Sequence, residues 1–349
     1  MSEDAGCAER FLWGLLVTVM KPISDLRLLI SGLFVLLLAL SGPADAQQPS
    51  NVPRIGYLHF RAGPAAADEA FRQAVRDLGW IEGQNLIIEY RWAAGKQDRY
   101  PTLAKELVRL KVDLIVTASP APTQAAKDAT KTIPIVMVAA SNAVERGLVA
   151  SLARPGGNVT GMSQQYIEIN AKLLELLHET LPKVTRVAFL AGDPSSPYWR
   201  GLHTTARDLG LTIQSFELDI RNGRDGRVKD VLEAVARERP GALLVSGTTH
   251  DRLARPIAEF AAKNRVPVFS INYPLVEKGF GLLGYGPDFI EMYRRAATFV
   301  DKILKGAKPS DLPVERPKKF ELVISLKTAK LIGVTIPPEV LMRATKVIR

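Results

Sequence analysis

The chain has one cysteine, Cys7, and only four histidines among 349 residues. A single thiol excludes an intrachain disulfide and a cysteine-built metal site, and a chain of this length needs neither to hold a core. His59, His178, His203 and His250 are dispersed, with no H-x-x-x-H or H-E-x-x-H spacing to grip a metal. The glycines form neither a G-x-G-x-x-G fingerprint nor a P-loop, and no G-x-S-x-G elbow presents a serine nucleophile. Nucleotide, metal and nucleophile chemistry therefore have no carrier in the sequence. No catalytic constellation, metal or cofactor is expected.

Blocks of like charge are also missing. Three basic and five acidic residues fall in the first 46. Setting them aside leaves 43 basic and 31 acidic residues, a net +12. A basic chain invites a nucleic-acid reading. Here, however, Lys and Arg are scattered among acids, as in "KQDRYPTLAKELVRLK", with no interleaved aromatics. A nucleic-acid partner is not expected.

Only one long apolar run is present, Leu28–Leu40, "LLISGLFVLLLAL", preceded by Lys21 and Arg27 and followed by "SGPADA". It is short for a membrane span, and Ala44-Asp45-Ala46 has the small-x-small form of a processing site. Residues 1–46 are read as a signal peptide, with translation starting at Met1 or Met20, and a retained N-terminal anchor is the alternative. The reading predicts an exported, periplasmic protein without a thiol.

From Val52 onward, β-rich runs alternate with amphipathic segments. "RIGYLHF", "NLIIEYRW", "DLIVTAS" and "IPIVMVAA" read as strands, uniformly apolar enough to be covered on both faces of a parallel sheet. Between the first two lies a predicted helix with Phe71, Val75 and Leu78 on one stripe and Gly79 as its stop. Leu103, Leu107 and Leu110 mark the next. The pattern then restarts. "VTRVAFL" matches "VPRIGYL", Arg207-Asp208-Leu209-Gly210 matches Arg76-Asp77-Leu78-Gly79, "ALLVSG" matches "DLIVTAS", and "VPVFSI" matches "IPIVMV". Four correspondences in one order predict an α/β fold of two Rossmann-like lobes joined by a multi-strand hinge.

Between the two copies stands "ARPGGNVTG", Ala153–Gly161, whose Pro and paired Gly reverse the backbone. It is read as the first crossing, with Gly156, Gly157, Thr160 and Gly161 as hinge residues. The later segments "GFGLLGYG" and "FELVISLKTAKLIGV" are read as two further crossings. The expected lobes are 53–163 with 283–318, and 164–282 with 319–349. Open α/β sheets bind ligands at the carboxyl ends of their strands, so a small molecule is expected between the lobes, enclosed by hinge closure.

Three stretches carry a resemblance to a known family. "IPIVMVAASNAVERGLVASLARPGGNVTGMS", "QDRYPTLAKELVRLKVDLIVTAS" and the tail from Tyr293 to Ala344 closely resemble the ABC transporter substrate-binding proteins of periplasmic binding protein type I. Some members of that family take tryptophan or other aromatic amino acids. The resemblance spans nearly all of the chain after residue 46. It implies capture of a small molecule and its delivery to a permease with its ATPase, without turnover, and a monomer is expected. A sensory protein docking a receptor or kinase, or an exported α/β enzyme, remain as alternatives. Where relatives commonly carry Asp-Pro, this chain has Asn142-Ala143. The loss of that carboxylate points away from an ammonium-bearing ligand and toward a carboxylate or neutral aromatic compound.

Candidate ligand contacts come from the strand ends. In the first lobe they are His59, Phe60 and Arg61, then Thr117, Ser119, Ser141 and Asn142, with Gln164 and Gln165 on the crossing. In the second they are Asp193, Ser195, Ser196 and Tyr198, followed by Ser246 and Thr248. Asn272 and Tyr273 follow the last apolar run, and Tyr285 and Asp288 sit at the second crossing. Each has a structural alternative. "GDPSSP" is also a helix-entry turn, Arg61 is also a solvated rim arginine, and the tyrosines also suit packing. Trp80 is read as packing, and Trp92 ends a strand near the cleft.

Overall fold

The structure is a computed structural model that describes residues 52–191, 200–218, 228–246 and 251–349. Its first sheet contains β1 (Arg54–His59), β2 (Ile87–Trp92), β3 (Leu114–Thr117), β4 (Ile135–Ser141) and β5 (Val159–Gln164). They lie in the order β2-β1-β3-β4-β5, with every pair parallel. All residues of β3 and β4 are buried, as apolar runs covered on both faces must be.

The second sheet holds β6 (Arg186–Ala191), β7 (Thr212–Glu217), β8 (Ala242–Val245), β9 (Val268–Ser270), β10 (Leu283–Pro287), β11 (Phe320–Ser325) and β12 (Lys346–Ile348). Its order is β12-β11-β10-β9-β8-β6-β7. The run β7-β6-β8-β9-β10 repeats the topology of the first sheet, and β11 then joins antiparallel to β10.

Helices α1 (Ala66–Asp77), α2 (Tyr100–Arg109) and α3 (Pro120–Ala129) connect the strands of the first sheet. Phe71 and Val75 of α1 face the core, as do Leu103 and Leu107 of α2. The third member of each expected stripe does not. Leu78 and Leu110 are 36% and 37% exposed, because both fall at the C-cap, past the last full helical residue.

The second lobe has α4 (Tyr166–Thr180), α5 (Arg200–Asp208), α6 (Val228–Glu238), α7 (Asp251–Asn264) and α8 (Tyr273–Glu277). One face of its sheet buries Leu173, Leu177 and Leu202 from α4 and α5, joined by Ile332 of α10 (Leu326–Ile332) and Val340 of α11 (Pro338–Met342). The opposite face buries Leu232 and Val235 of α6 and Ile257 of α7.

Helix α9 (Phe289–Leu304) returns to the first lobe, where Met292, Ala296 and Val300 share a core with Phe71 and Val75. Trp80 Nε1 donates to Asp301 Oδ1 at 3.0 Å, a packing role with one polar tie.

Two expectations about the crossings need correction. The strand Leu283–Pro287 pairs with β9 and β11, so it stays in the second sheet, and the chain returns to the first lobe only at Asp288. Its glycines suggest a connection, but they serve packing. A Cβ on Gly284 would lie 2.6 Å from Cα of Tyr273. Likewise, Val159–Gln164 is the edge strand of the first sheet. The Gly156-Gly157 turn precedes that strand, and the first crossing lies at Gln165, beyond its far end.

Gly161 has a different task from a hinge. Its φ is +121°, and a Cβ there would lie 2.1 Å from the Met137 carbonyl oxygen, at the irregularity where β5 meets β4. Thr160 is fully buried, and its hydroxyl donates to the Leu312 carbonyl at 2.6 Å. The third crossing begins beside it. Glu315 N–H donates to Gly161 O at 2.9 Å, and Ser163 N–H donates to Glu315 O at 2.8 Å, so this segment covers the edge of β5.

Candidate functional site

The chain leaves the first sheet at the carboxyl end of β5 and the second at the carboxyl end of β10. The carboxyl ends of both sheets therefore abut the crossings. In the first lobe these ends carry His59, Trp92, Thr117, Ser141 and Gln164, the usual ligand-facing edge of an open parallel sheet.

The most elaborate part is the β1 end. Asp68, in the first turn of α1, is 1% exposed. Its carboxylate accepts from Tyr57 OH at 2.5 Å, Arg61 Nη2 at 2.6 Å and Ala65 N–H at 2.7 Å. A buried carboxylate with three donors is a stable fixture, and here it holds the β1–α1 loop. Burial and the neighbouring Tyr293 and Asp68 push the Tyr57 hydroxyl well above its usual pKa, so it remains a donor.

His59 is fully buried. Its Nδ1 accepts the Arg61 backbone N–H at 3.1 Å, which leaves Nε2 to donate to Tyr293 OH at 3.0 Å. Burial and, secondarily, the Arg61 charge hold its pKa well below the usual histidine value, so the ring is neutral. Phe60 and Trp92 lie against this imidazole at centroid distances of 4.5 and 5.4 Å. The Arg61 guanidinium sits 5.4 Å from the Phe60 ring centre, partly exposed beyond its bond to Asp68. Three backbone bonds, from Ala93, Ala94 and Gly95 to His59, Arg61 and Phe60 respectively, strap the neighbouring loop onto this one. The result is a rigid rim of half-buried aromatics beside an Arg–Asp pair.

Other candidates from the sequence already have structural partners. Thr117 Oγ1 bonds Thr123 Oγ1 at 2.7 Å, and Thr123 in turn donates to the Ser119 carbonyl. Ser119 is the N-cap residue of α3, whose first turn holds Pro120 and Pro122 and so offers few N–H donors. Ser141 is buried at the end of β4. Gln164 Nε2 donates to Ala139 O at 3.1 Å, while its Oε1 is buried without a partner. Gln165, with its amide turned to satisfy both ends, donates to Gln164 O and accepts from Arg316.

Asn142 has a structural partner in the opposite lobe. It is 2% exposed with φ +54°, and its Oδ1 accepts the Tyr166 N–H at 3.1 Å. The oxygen of the amide thus has a backbone partner already.

In the second lobe, Ser246 is buried behind β8, its N–H bonded to Leu190 O. Asn272 is half-buried at the start of α8, its N–H bonded to Ser270 Oγ at 3.0 Å. Tyr273 is 8% exposed and stacks on Phe289. Tyr285 stacks on Phe320 at 5.6 Å, where the two border a recess with Gln165, Glu168 and Arg316 at the crossings. Asp288 caps α9, accepting from Glu291 N–H at 3.1 Å, and pairs with Lys319 at 3.0 Å. Asp193, Ser195, Ser196, Tyr198 and Thr248 lie outside the described residues.

Sequence reasoning missed Asp68 and Tyr293. An acid in a first helical turn reads as a dipole partner, and Tyr293 is 234 residues from the histidine it meets. No local signal distinguishes either.

Two parallel α/β lobes of matching topology, tied by three crossings at the carboxyl ends of their strands, define a bilobal solute-binding protein of periplasmic type I architecture. The chain belongs to the ABC transporter substrate binding protein family, whose sequence profile matches residues 62–348. It is thus the solute-binding component of an ABC transporter system, and the family's members bind substrates without converting them. It is 30% identical over 275 residues to a tyrosine-binding protein of Clostridioides difficile (strain R20291), covering 76% of this chain and 75% of that one. Its fold is similar to an ABC domain from Streptococcus pneumoniae in complex with L-Trp (25% identity, TM-score 0.75). It is also similar to a ligand-free, open substrate-binding protein with adhesive properties from Clostridium difficile (25% identity, TM-score 0.63). Each comparison covers 85% of this chain and 99% of the other.

Proposed function

We infer that the protein captures an aromatic amino acid, or a close analogue, between its lobes. It then delivers the molecule to a membrane permease and its ATPase. The β1 rim carries this reading, because Phe60 and Trp92 present ring surfaces beside a guanidinium that is only partly used by Asp68. Rings favour a planar apolar ligand, and a guanidinium favours a carboxylate. The tyrosine-binding relative and the tryptophan-bound neighbour support the same ligand class. Residues 1–46 act as a signal peptide for export to the periplasm, which suits a protein that meets its solute outside the cytoplasm. Counting the strands by sheet membership, lobe one comprises residues 53–164 with 288–318, and lobe two residues 165–287 with 319–349.

A thermal-shift series with L-tyrosine, L-tryptophan, L-phenylalanine, indole-3-acetate, L-leucine and ribose tests the ligand class. A ligand at a hundred times its dissociation constant stabilises by about 2.7 kcal/mol, a rise of several degrees. The aromatic amino acids are expected to give that rise. A response confined to leucine or ribose would overturn the aromatic assignment.

A further inference from the structure

We propose that Asn142 is a positioning residue for the relative placement of the lobes, and that it acts by capping the first helix of the opposite lobe. Helix α4 has no side-chain cap of its own: its N-cap residue, Gln165, makes none. Asn142 supplies one from the first lobe, its Oδ1 receiving the Tyr166 N–H at 3.1 Å. Its own N–H holds the Gln164 carbonyl at 2.9 Å, on the other side of the crossing. One residue thus grips the backbone both before and after Gln165.

That bracket encloses the torsions about which α4 must turn if the lobes move. The bond to Gln164 lies wholly within the first lobe, whereas the bond to Tyr166 spans the crossing. Rotation at Gln165 breaks the second and leaves the first. The grip also depends on a backbone that few residues adopt: φ is +54°, a left-handed conformation that Asn and Asp tolerate and most others resist. With a neighbouring bond from Ala143 N–H to Ser163 Oγ at 3.3 Å, the end of β4 is fixed to β5, and the Asn142 side chain reaches beyond it to the α4 backbone, beside a longer contact from Gln164 Nε2 to the Tyr166 hydroxyl at 3.4 Å. The cap accordingly favours the lobe arrangement described here over others. This role deepens the solute-capture reading and rests on its two mobile lobes, but not on the ligand's identity.

The lone cysteine makes the test direct. In the full chain with Cys7→Ser, the exposed residues Lys105 of α2 and Glu339 of α11 are replaced by cysteine and spin-labelled. Distances between the labels are then measured without ligand. Asn142→Gly removes the cap while relieving the left-handed backbone, so folding is retained. It is expected to lower the population at the separation seen here, relative to others, by roughly fivefold. Asn142→Asp keeps both the acceptor and the backbone preference and is expected to restore the wild-type distribution. An unchanged distribution in Asn142→Gly, even with a lower melting temperature, reduces Asn142 to a local structural role and overturns the proposal. So does an Asn142→Asp protein that behaves like the glycine variant. Both outcomes are read without ligand, so a failed ligand assignment leaves them intact.

Discussion

His59 Nε2 donates to the Tyr293 hydroxyl at 3.0 Å, joining the carboxyl end of β1 to a helix that has returned from the other lobe. The Arg61 N–H on Nδ1 selects this tautomer. The Arg61 bond requires a neutral ring, because a protonated Nδ1 cannot accept, and the rim of Phe60 and Trp92 rests upon this imidazole.

Acid should weaken this arrangement. Burial, with Arg61 adding to it, keeps the folded-state pKa of His59 well below the usual value of about 6.5. The unfolded chain binds a proton near that pH and the folded chain does not. The histidine's contribution is thus present above about pH 6.5 and is lost as pH falls, by at most about 1.4 kcal/mol per pH unit. Urea unfolding at pH 7.5 and 5.5 should show the wild type losing about 1 kcal/mol more than His59→Gln. Equal losses would mean that His59 does not carry the pH dependence.

Asp68 is the most heavily bonded acid in the described part of the site, and its replacement should be costly. Asp68→Asn replaces one acceptor oxygen with an NH2 donor that faces other donors, and leaves Arg61 without its counter-charge, at a cost of roughly 2–4 kcal/mol. Tyr57→Phe removes one donor only and should cost about 1–2 kcal/mol. In the double variant the two losses should fall short of additivity, because they share one bond. Full additivity in chemical unfolding would show that Tyr57 and Asp68 are not energetically coupled.

Much of this architecture was legible because parallel strands covered on both faces must be apolar throughout. "LIVT" and "IVMVAAS" could hardly be anything else, and the repeated order of such runs disclosed two lobes. What failed were inferences from glycine. Gly156-Gly157 reverses the chain, as its composition says, yet composition cannot tell a lobe crossing from a loop that precedes an edge strand. In β10 the glycines are demanded by Tyr273 on α8, a contact absent from the local sequence. The site was half legible. Strand ends pointed to His59 and Arg61, whereas Asp68 and Tyr293 become part of the same network only when α1 and α9 pack together.

The contrast between Gly161 and Gly157 separates a packing constraint from an open turn. Gly161 has φ +121° and its missing Cβ would overlap the Met137 carbonyl. The backbone of β4 cannot yield without breaking its pairing with β3 and β5. Gly161→Ala should therefore cost about 3 kcal/mol or more, through strain and lost sheet pairing. At Gly157 an added Cβ meets nothing within 4 Å and φ lies outside the left-handed range. Gly157→Ala should fall within about 0.5 kcal/mol of wild type, as ordinary surface changes do. Melting temperatures of the two variants decide the matter. A large drop for Gly157→Ala would show that the turn bears a load beyond reversing the chain. A mild effect of Gly161→Ala would mean that β4 and β5 can part, and that this edge of the first lobe is softer than its pairing implies.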